Sequence, residues 1–364
     1  MTSLIQRYIA LRTLRGIGLA FFIVTGLILL IDFVEGMRNI GQDLGLSSLN
    51  VLYLTLLKTP SLIEQTIPFI VLFGTIGSFY SLNRNSELVV LRASGLSAWN
   101  FLAPAIFVTF TLGVIWATLF NPLASRTLQI YETSISASEN AQPITANIWL
   151  KEGTETQETL IHAQSYDPGA RTLLNVTFTQ TAINTEGHFS FSTRLDAKSA
   201  ELKGGGYWQL NDVIENTDDV LAGTMQHETL SIPTRIRLED IVSQTDSNFI
   251  PPFWALPKEI TRTRRAGFAT VRLEMQLHKL ISLPLSLVAM TFIAACVSMQ
   301  LTRQGGTLRL LIIGTTIGFM VYFTNSIFNA FGESSALPVM VAAWAIPIMT
   351  FFLGASYLAK VEDG

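Results

Sequence analysis

The run Arg15-Gly16-Ile17-Gly18-Leu19-Ala20-Phe21-Phe22-Ile23-Val24-Thr25-Gly26-Leu27-Ile28-Leu29-Leu30-Ile31-Asp32-Phe33-Val34-Glu35 decides the fold, because no ionisable side chain falls between Arg15 and Asp32. A helix needs about 20 mostly apolar residues to cross a bilayer core, where water cannot satisfy an unpaired peptide group. Further along, segments at roughly 62–82, 98–119, 281–301, 308–331 and 337–358 meet the same requirement. Six transmembrane helices are therefore expected, three before and three after a polar middle. Arg7, Arg12 and Arg15 give the first span the start of a signal peptide, but its apolar run is too long and no small-residue cleavage site follows, so it is read as an uncleaved anchor.

Composition agrees with this division. The chain has 364 residues, 49% hydrophobic and 14% charged, with a mean hydropathy of +0.40. A soluble domain is about one quarter charged, so a cytosolic enzyme is disfavoured. The net charge of −3 hides an asymmetry: residues 131–260 hold 18 acids and 8 bases, the flanks 9 acids and 16 bases. A single cysteine, Cys296, excludes an intrachain disulfide and any multi-cysteine zinc or iron–sulfur site.

Lys and Arg collect in loops on the cytoplasmic side of membrane proteins. With the N-terminus inside, Arg7, Arg12, Arg15, Arg84, Arg92, Arg303, Arg309 and Lys360 are cytoplasmic, against only Arg38 and Lys58 in the short outer loops. The polar middle then lies on the far side of the membrane. The expected domains are residues 1–120 with three spans, 121–265 as the polar domain, and 266–364 with three more spans. In Asn175-Val176-Thr177-Phe178-Thr179, Phe189-Ser190-Phe191-Ser192 and Tyr207-Trp208-Gln209-Leu210, apolar residues fall on every second position, the signature of half-buried antiparallel strands. The fold class is thus a membrane α-helical protein carrying an inserted all-β, sandwich or jelly-roll-like domain. Val176, Phe178, Phe189, Phe191, Trp208 and Leu210 either fill an ordinary core or line an apolar trough that carries a lipid.

Catalytic signatures are missing. There is no Gly-Lys dipeptide and hence no Walker A loop, and His227-Glu228 lacks the second histidine of a zincin because Ser231 stands there. His162, His188, His227 and His278 show no ligand spacing, and no Gly-x-Ser-x-Gly elbow occurs. No catalytic residue, metal site, cofactor or nucleic-acid partner is expected.

Between spans two and three the loop reads Asn83-Arg84-Asn85-Ser86-Glu87-Leu88-Val89-Val90-Leu91-Arg92-Ala93-Ser94-Gly95. Ser86 or Asn85 can cap a short helix with Leu88 and Leu91 on its apolar face and Gly95 ending it. Too short to stand alone in water, it either docks in a groove on a cytoplasmic partner, with Glu87 and Arg92 as orienting charges, or lies on the membrane surface.

The run from Ser86 to Gly95 resembles the coupling-helix signature of the lipopolysaccharide export permeases, the LptF/LptG family, and more closely the LptG side. Asp32-Phe33-Val34-Glu35, Pro60 with Pro68, Trp208-Gln209-Leu210 and Ser326-Ile327-Phe328 also fit, in order along the whole chain. The resemblance implies a transmembrane subunit of an ABC transporter that extracts lipopolysaccharide from the outer leaflet of the inner membrane. It implies a second, LptF-like permease, an LptB-like ATPase dimer that binds the ATP and Mg²⁺, and an LptC-like protein that begins a periplasmic bridge. Carried over by position, Ser86, Glu87, Leu88, Leu91 and Arg92 couple to the ATPase, with Glu87 as the contacting carboxylate. Arg38 falls where the family has a lysine that meets lipid phosphates. The family's other basic residue on span one corresponds here to Asp32, so the clamp cannot be built in the same way.

Other bases could compensate. Arg265, Arg272 and Lys279 are seven apart, which on one helix makes a stripe able to hold an anionic headgroup or ordinary phospholipid. Glu274 could pair with Arg272 or His278. Asp32 and Glu35 are gate candidates, although Glu35 and Arg38 could simply neutralise each other. Glu64 reads as interfacial, and Phe319, Tyr322 and Phe323 on span five as either packing or substrate-facing aromatics. The competing class is a non-transporting membrane receptor or sensor whose β domain binds a ligand.

Overall fold

The computed structural model describes residues 2–43, 46–85, 87, 90, 97–138, 148–153, 157–167, 172–183, 189–203, 206–217, 224–234, 236, 251–265, 269–300 and 307–363. The chain divides into two compact units. One comprises Met1–Glu132, Ile250–Ile260 and Thr270–Gly364, the other Thr133–Phe249 and Thr261–Ala269.

The first unit is helical. Helix α1 runs Thr2–Asp43 and α2 Ser48–Arg84, the latter capped by the Ser47 hydroxyl, which accepts from the Asn50 amide at 3.4 Å. Helix α3, Ala98–Ile115, begins at the Ser97 cap and passes through a π-helical segment, Trp116–Phe120, into α4, Asn121–Ser138. This continuous rod keeps residues up to Glu132 in the helical unit, beyond Asn121 where the polar composition begins. The widened π turn is braced from outside, its Thr118 carbonyl accepting from the Trp254 indole at 2.9 Å. Later in the chain come α5 (Leu256–Arg265), whose residues from Thr261 onward belong to the second unit, and, in the first unit, α6 (Val271–Gln300), α7 (Thr307–Glu333) and α8 (Val339–Asp363).

Among the described residues five stretches, Leu4–Asn39, Ser48–Arg84, Trp99–Ile135, Val271–Ser298 and Val339–Lys360, are long and apolar enough to cross a membrane. The span expected at 308–331 lies within α7, which is 27 residues long but is not one of the five. Within α7, Thr316 and Thr324 donate to the carbonyls of Ile312 and Met320, each at 2.8 Å, which lowers the cost of carrying hydroxyls in an apolar helix.

Helices α1 and α2 form an antiparallel hairpin whose backbones meet at Gly16 and Gly74. A Cβ on Gly74 would lie 2.4 Å from the Ile17 Cα, and one on Gly16 2.0 Å from the Ser78 Oγ. The main helical core collects Ile63, Ile67, Ile70, Val71, Leu72 and Ile76 of α2 with Leu287, Met290, Ile293, Ala294 and Val297 of α6.

The second unit contains one six-stranded antiparallel sheet in sequence order: β1 Ile148–Gly153, β2 Gln157–Asp167, β3 Thr172–Ile183, β4 Phe189–Lys203, β5 Tyr207–Thr217 and β6 Thr224–Pro233. It is a meander, and no Greek-key crossing of a jelly roll occurs among the described strands. Pairing is interrupted along one row that crosses β2 to β6 at Gln164, Asn175, Lys198, Asp212 and Glu228. Two of these residues, Asn175 and Asp212, take left-handed φ values of 50° and 52°. On every strand from β2 to β5 the buried set changes parity there: Ile161 and Ala163 give way to Tyr166, Leu173 to Val176 and Phe178, Leu195 and Ala197 to Ala200, Trp208 and Leu210 to Val213. Side chains normally alternate strictly between faces, so this row inverts the phase of those strands while the buried residues remain one core.

Candidate functional site

Three charge-bearing arrangements lie in the helical unit. The first joins both hairpin helices to Glu87. One carboxylate oxygen of Glu87 accepts from the Tyr8 hydroxyl at 2.9 Å; the other accepts from Arg12 Nη1 at 3.3 Å and Asn85 Nδ2 at 3.2 Å. Arg12 also donates through Nη2 to Ser81 Oγ at 2.7 Å, hydrogen-bonds Tyr8, and lies over the Tyr8 ring at 5.6 Å. Its own backbone carbonyl accepts from Ser78 Oγ at 3.1 Å. Of the loop residues expected to act with Glu87, Ser86, Leu88, Leu91 and Arg92 lie outside the described residues.

At the other end of the hairpin, Asp32 of α1 accepts from Lys58 Nζ of α2 at 2.7 Å, and Lys58 faces the Tyr131 ring of α4 at 6.0 Å. The Asp32 side chain is only 11% exposed, and its acidic character is matched by a base on the neighbouring helix. Glu35 and Arg38, one and two turns further out, are exposed. Removing one member of a desolvated pair strands the other charge. Asp32→Asn is expected to cost about 1–2 kcal/mol, less than for a fully buried pair because Lys58 is partly hydrated, and Asp32→Leu with Lys58→Met should recover most of it. Thermal unfolding of the wild type and the two variants in detergent measures both.

The third arrangement is a cavity of about 500 Å³ between α2, α4, α6, α7 and α8. Glu64 lines it, both carboxylate oxygens accepting from Asn121 Nδ2 at 3.1 Å, while Asn121 Oδ1 accepts from the Phe253 amide at 2.8 Å. Glu64 is therefore an acid tethered on the cavity wall. Lys279 also lines the cavity and is paired with Glu333 at 2.6 Å. Asn325 and Asn329 line it too, their Oδ1 atoms buried and without a hydrogen-bond partner among the described residues. Tyr322 points inward, lining the cavity and meeting Phe69 at 4.8 Å, whereas Phe319 and Phe323 stack at 6.0 Å on an outer face where both are more than half exposed. The span-five aromatics thus have two different environments.

The expected stripe of three bases is not one helix face. Arg265 is the last residue of α5, while Arg272 and Lys279 belong to α6, which starts at Val271. Ala269 and the β-branched Thr270, a weak helix former, are not helical. Glu274 accepts from Thr270 at 2.6 Å, and His278 Nδ1 lies 3.3 Å from the Trp344 indole nitrogen.

In the β unit, Val176, Phe178, Trp208 and Leu210 are fully buried in the common core, with the Phe178 and Trp208 rings edge-on at 6.2 Å. Each of the four is 1% exposed or less. The side chains of Phe189 and Phe191 lie outside the described residues.

Sequence reasoning counted Arg12 and Lys58 only as topology markers and missed their partners. The signal was available: in an antiparallel hairpin, residues equally distant from the turn face each other. Asp32 with Lys58, Gly16 with Gly74 and Arg12 with Ser78 all satisfy that reflection about the turn between α1 and α2.

Residues 7–360 match the family described as lipopolysaccharide export system permease LptF/LptG. No curated protein matches the chain.

Proposed function

Because the chain belongs to the LptF/LptG family of lipopolysaccharide export permeases, we propose that it is the LptG-side transmembrane subunit of an ABC transporter in a bacterial inner membrane. Its spans number six, three on each side of a periplasmic β domain, and it pairs with an LptF-like permease. An LptB-like ATPase dimer binds and hydrolyses ATP with Mg²⁺, and this chain carries no catalytic group of its own. The observation that carries the reading is the family match across helices, sheet and helices together, at residues 7–360. Support for the sixth span comes from α7, a 27-residue helix packed in the same unit as the other five.

In this mechanism the ATPase engages the segment around Glu87, with Ser86, Leu88, Leu91 and Arg92 completing the contact. Closure of its nucleotide sites moves the spans and narrows the space between the two permeases. The lipid enters past the end of α1 that carries Asp32, Glu35 and Arg38, with Arg38, Arg265, Arg272 and Lys279 as bases for its phosphates. Phe319 and Phe323 meet its acyl chains on the exposed face of α7. The β domain then passes the lipid to an LptC-like bridge. Because Val176, Phe178, Trp208 and Leu210 are closed in the core, acyl chains reach them only as the sheet opens, with Phe189 and Phe191 as further contacts on β4.

Purification of the tagged chain should bring down an ATPase and a second permease. In the reconstituted complex, Glu87→Ala is expected to lower lipid release about tenfold or more, the loss of at least one charge-assisted contact across the interface. Normal assembly with normal release would sink the coupling assignment. A chain that purifies with no ATPase would favour the receptor class instead.

A further inference from the structure

We propose that Tyr8 and Arg12 are positioning residues for Glu87, and that they make α1 the helix through which movement of the Glu87 segment reaches the far side of the membrane. This rests on the reading of Glu87 as the carboxylate that faces the ATPase.

The argument begins with how Glu87 is held. Both of its oxygens accept hydrogen bonds from α1, one from Tyr8 at 2.9 Å and the other from Arg12 at 3.3 Å, yet its side chain is still 30% exposed. A carboxylate offers about four lone-pair sites, so a docked partner can add a bond without displacing these two. Arg12 is fixed in turn: its planar fork spans Ser81 and Glu87 at once, and its main-chain carbonyl accepts from Ser78. A pull on Glu87 therefore acts on α1 directly, not only along the chain through Asn85.

The two helices that leave this junction differ in stiffness. Helix α2 contains Pro60 and Pro68, each of which removes a backbone hydrogen bond and favours a kink. Helix α1 has no proline in its 42 residues and extends about 63 Å at the standard rise. Its other end carries Asp32, locked to Lys58, and the exposed Glu35 and Arg38. The unbroken helix thus joins the Glu87 junction to the charged end proposed to admit the lipid.

The test uses the reconstituted complex and reads lipid released per ATP hydrolysed. Arg12→Gln is expected to leave the ATPase bound but lower this ratio about tenfold; Tyr8→Phe, which removes one hydroxyl, should lower it about threefold. Arg12→Lys should recover part of the loss, because an ammonium can reach Glu87 or Ser81 but cannot bridge both. A generally destabilised subunit would lose bound ATPase along with transport, and would not be rescued in this graded way. A wild-type ratio in both Arg12→Gln and Tyr8→Phe overturns the proposal. Independently, cysteines introduced at Tyr8 and Glu87 in a Cys296→Ala background should be joined by a short thiol crosslinker in membranes, and absence of the crosslink also overturns it. If the wild-type chain brings down no ATPase, the coupling reading falls and this role falls with it, while the crosslink still reports whether the tie exists.

Discussion

Trp208→Ala is expected to remove about 3–5 kcal/mol from the stability of the β unit, the usual range for truncating a buried aromatic residue. Trp208 is among the largest fully buried side chains, packed edge-on against Phe178 and backed by Leu210 and Leu195. Neighbours anchored in the sheet ladder can close only part of the void. At that magnitude the opened fraction rises by roughly two to four orders of magnitude. Limited proteolysis of the full chain in detergent, comparing cleavage between residues 148 and 233 with cleavage in the helices, reads it directly. Trp208→Phe gives the contrast. The indole Nε1 is buried without a partner among the described residues, so phenylalanine leaves a smaller void and also relieves an unsatisfied donor. Its cost should be less than half that of alanine.

Gly74→Val is expected to separate α1 from α2, at a cost of about 3 kcal/mol or more. The first added carbon would meet the Ile17 Cα at 2.4 Å, the Ile17 nitrogen at 2.7 Å and the Gly16 carbonyl carbon at 2.9 Å, all backbone atoms that no rotamer change can move aside. Gly77, three residues away on the same helix, is open, with nothing within 4 Å of an added Cβ. Gly77→Ala should therefore be neutral or slightly stabilising, because alanine is the better helix former. Detergent-solubilised yield and melting temperature should fall for Gly74→Val and hold for Gly77→Ala. Close approach at small residues is a general way to pack membrane helices, where no hydrophobic driving force holds them together.

How much of this was legible in the sequence depends on whether the determining interaction is local. Apolar length is local, so the six expected spans, that at 308–331 included, coincide with α1, α2, α3 and its π continuation, α6, α7 and α8, although α1 and α2 extend well beyond the apolar windows. Alternation is local too, and it placed Val176, Phe178, Trp208 and Leu210 on the buried face. The continuation of α3 through the π segment was hidden, because Asn121 reads as the start of a polar domain until its amide is seen holding Glu64 and the Phe253 amide. Ion-pair partners were hidden for the same reason. Lys58 read as an outer-loop charge until α2 folded back beside α1 and set it against Asp32. The basic stripe failed differently: a seven-residue spacing predicts a shared face only on an unbroken helix, and α5 ends at Arg265.

The parity change in the sheet has a consequence for how this domain can vary. Because four strands invert their inside–outside phase at one common row, no single strand can gain or lose a residue on one side of the row without sending half its length to the wrong face. A compensating change would be needed in every neighbour at once. Length variation is thereby confined to the hairpin ends, whereas substitutions at Asn175 and Asp212 are restricted to side chains that tolerate a left-handed backbone. The inversion is a collective property, inherited or lost as one piece.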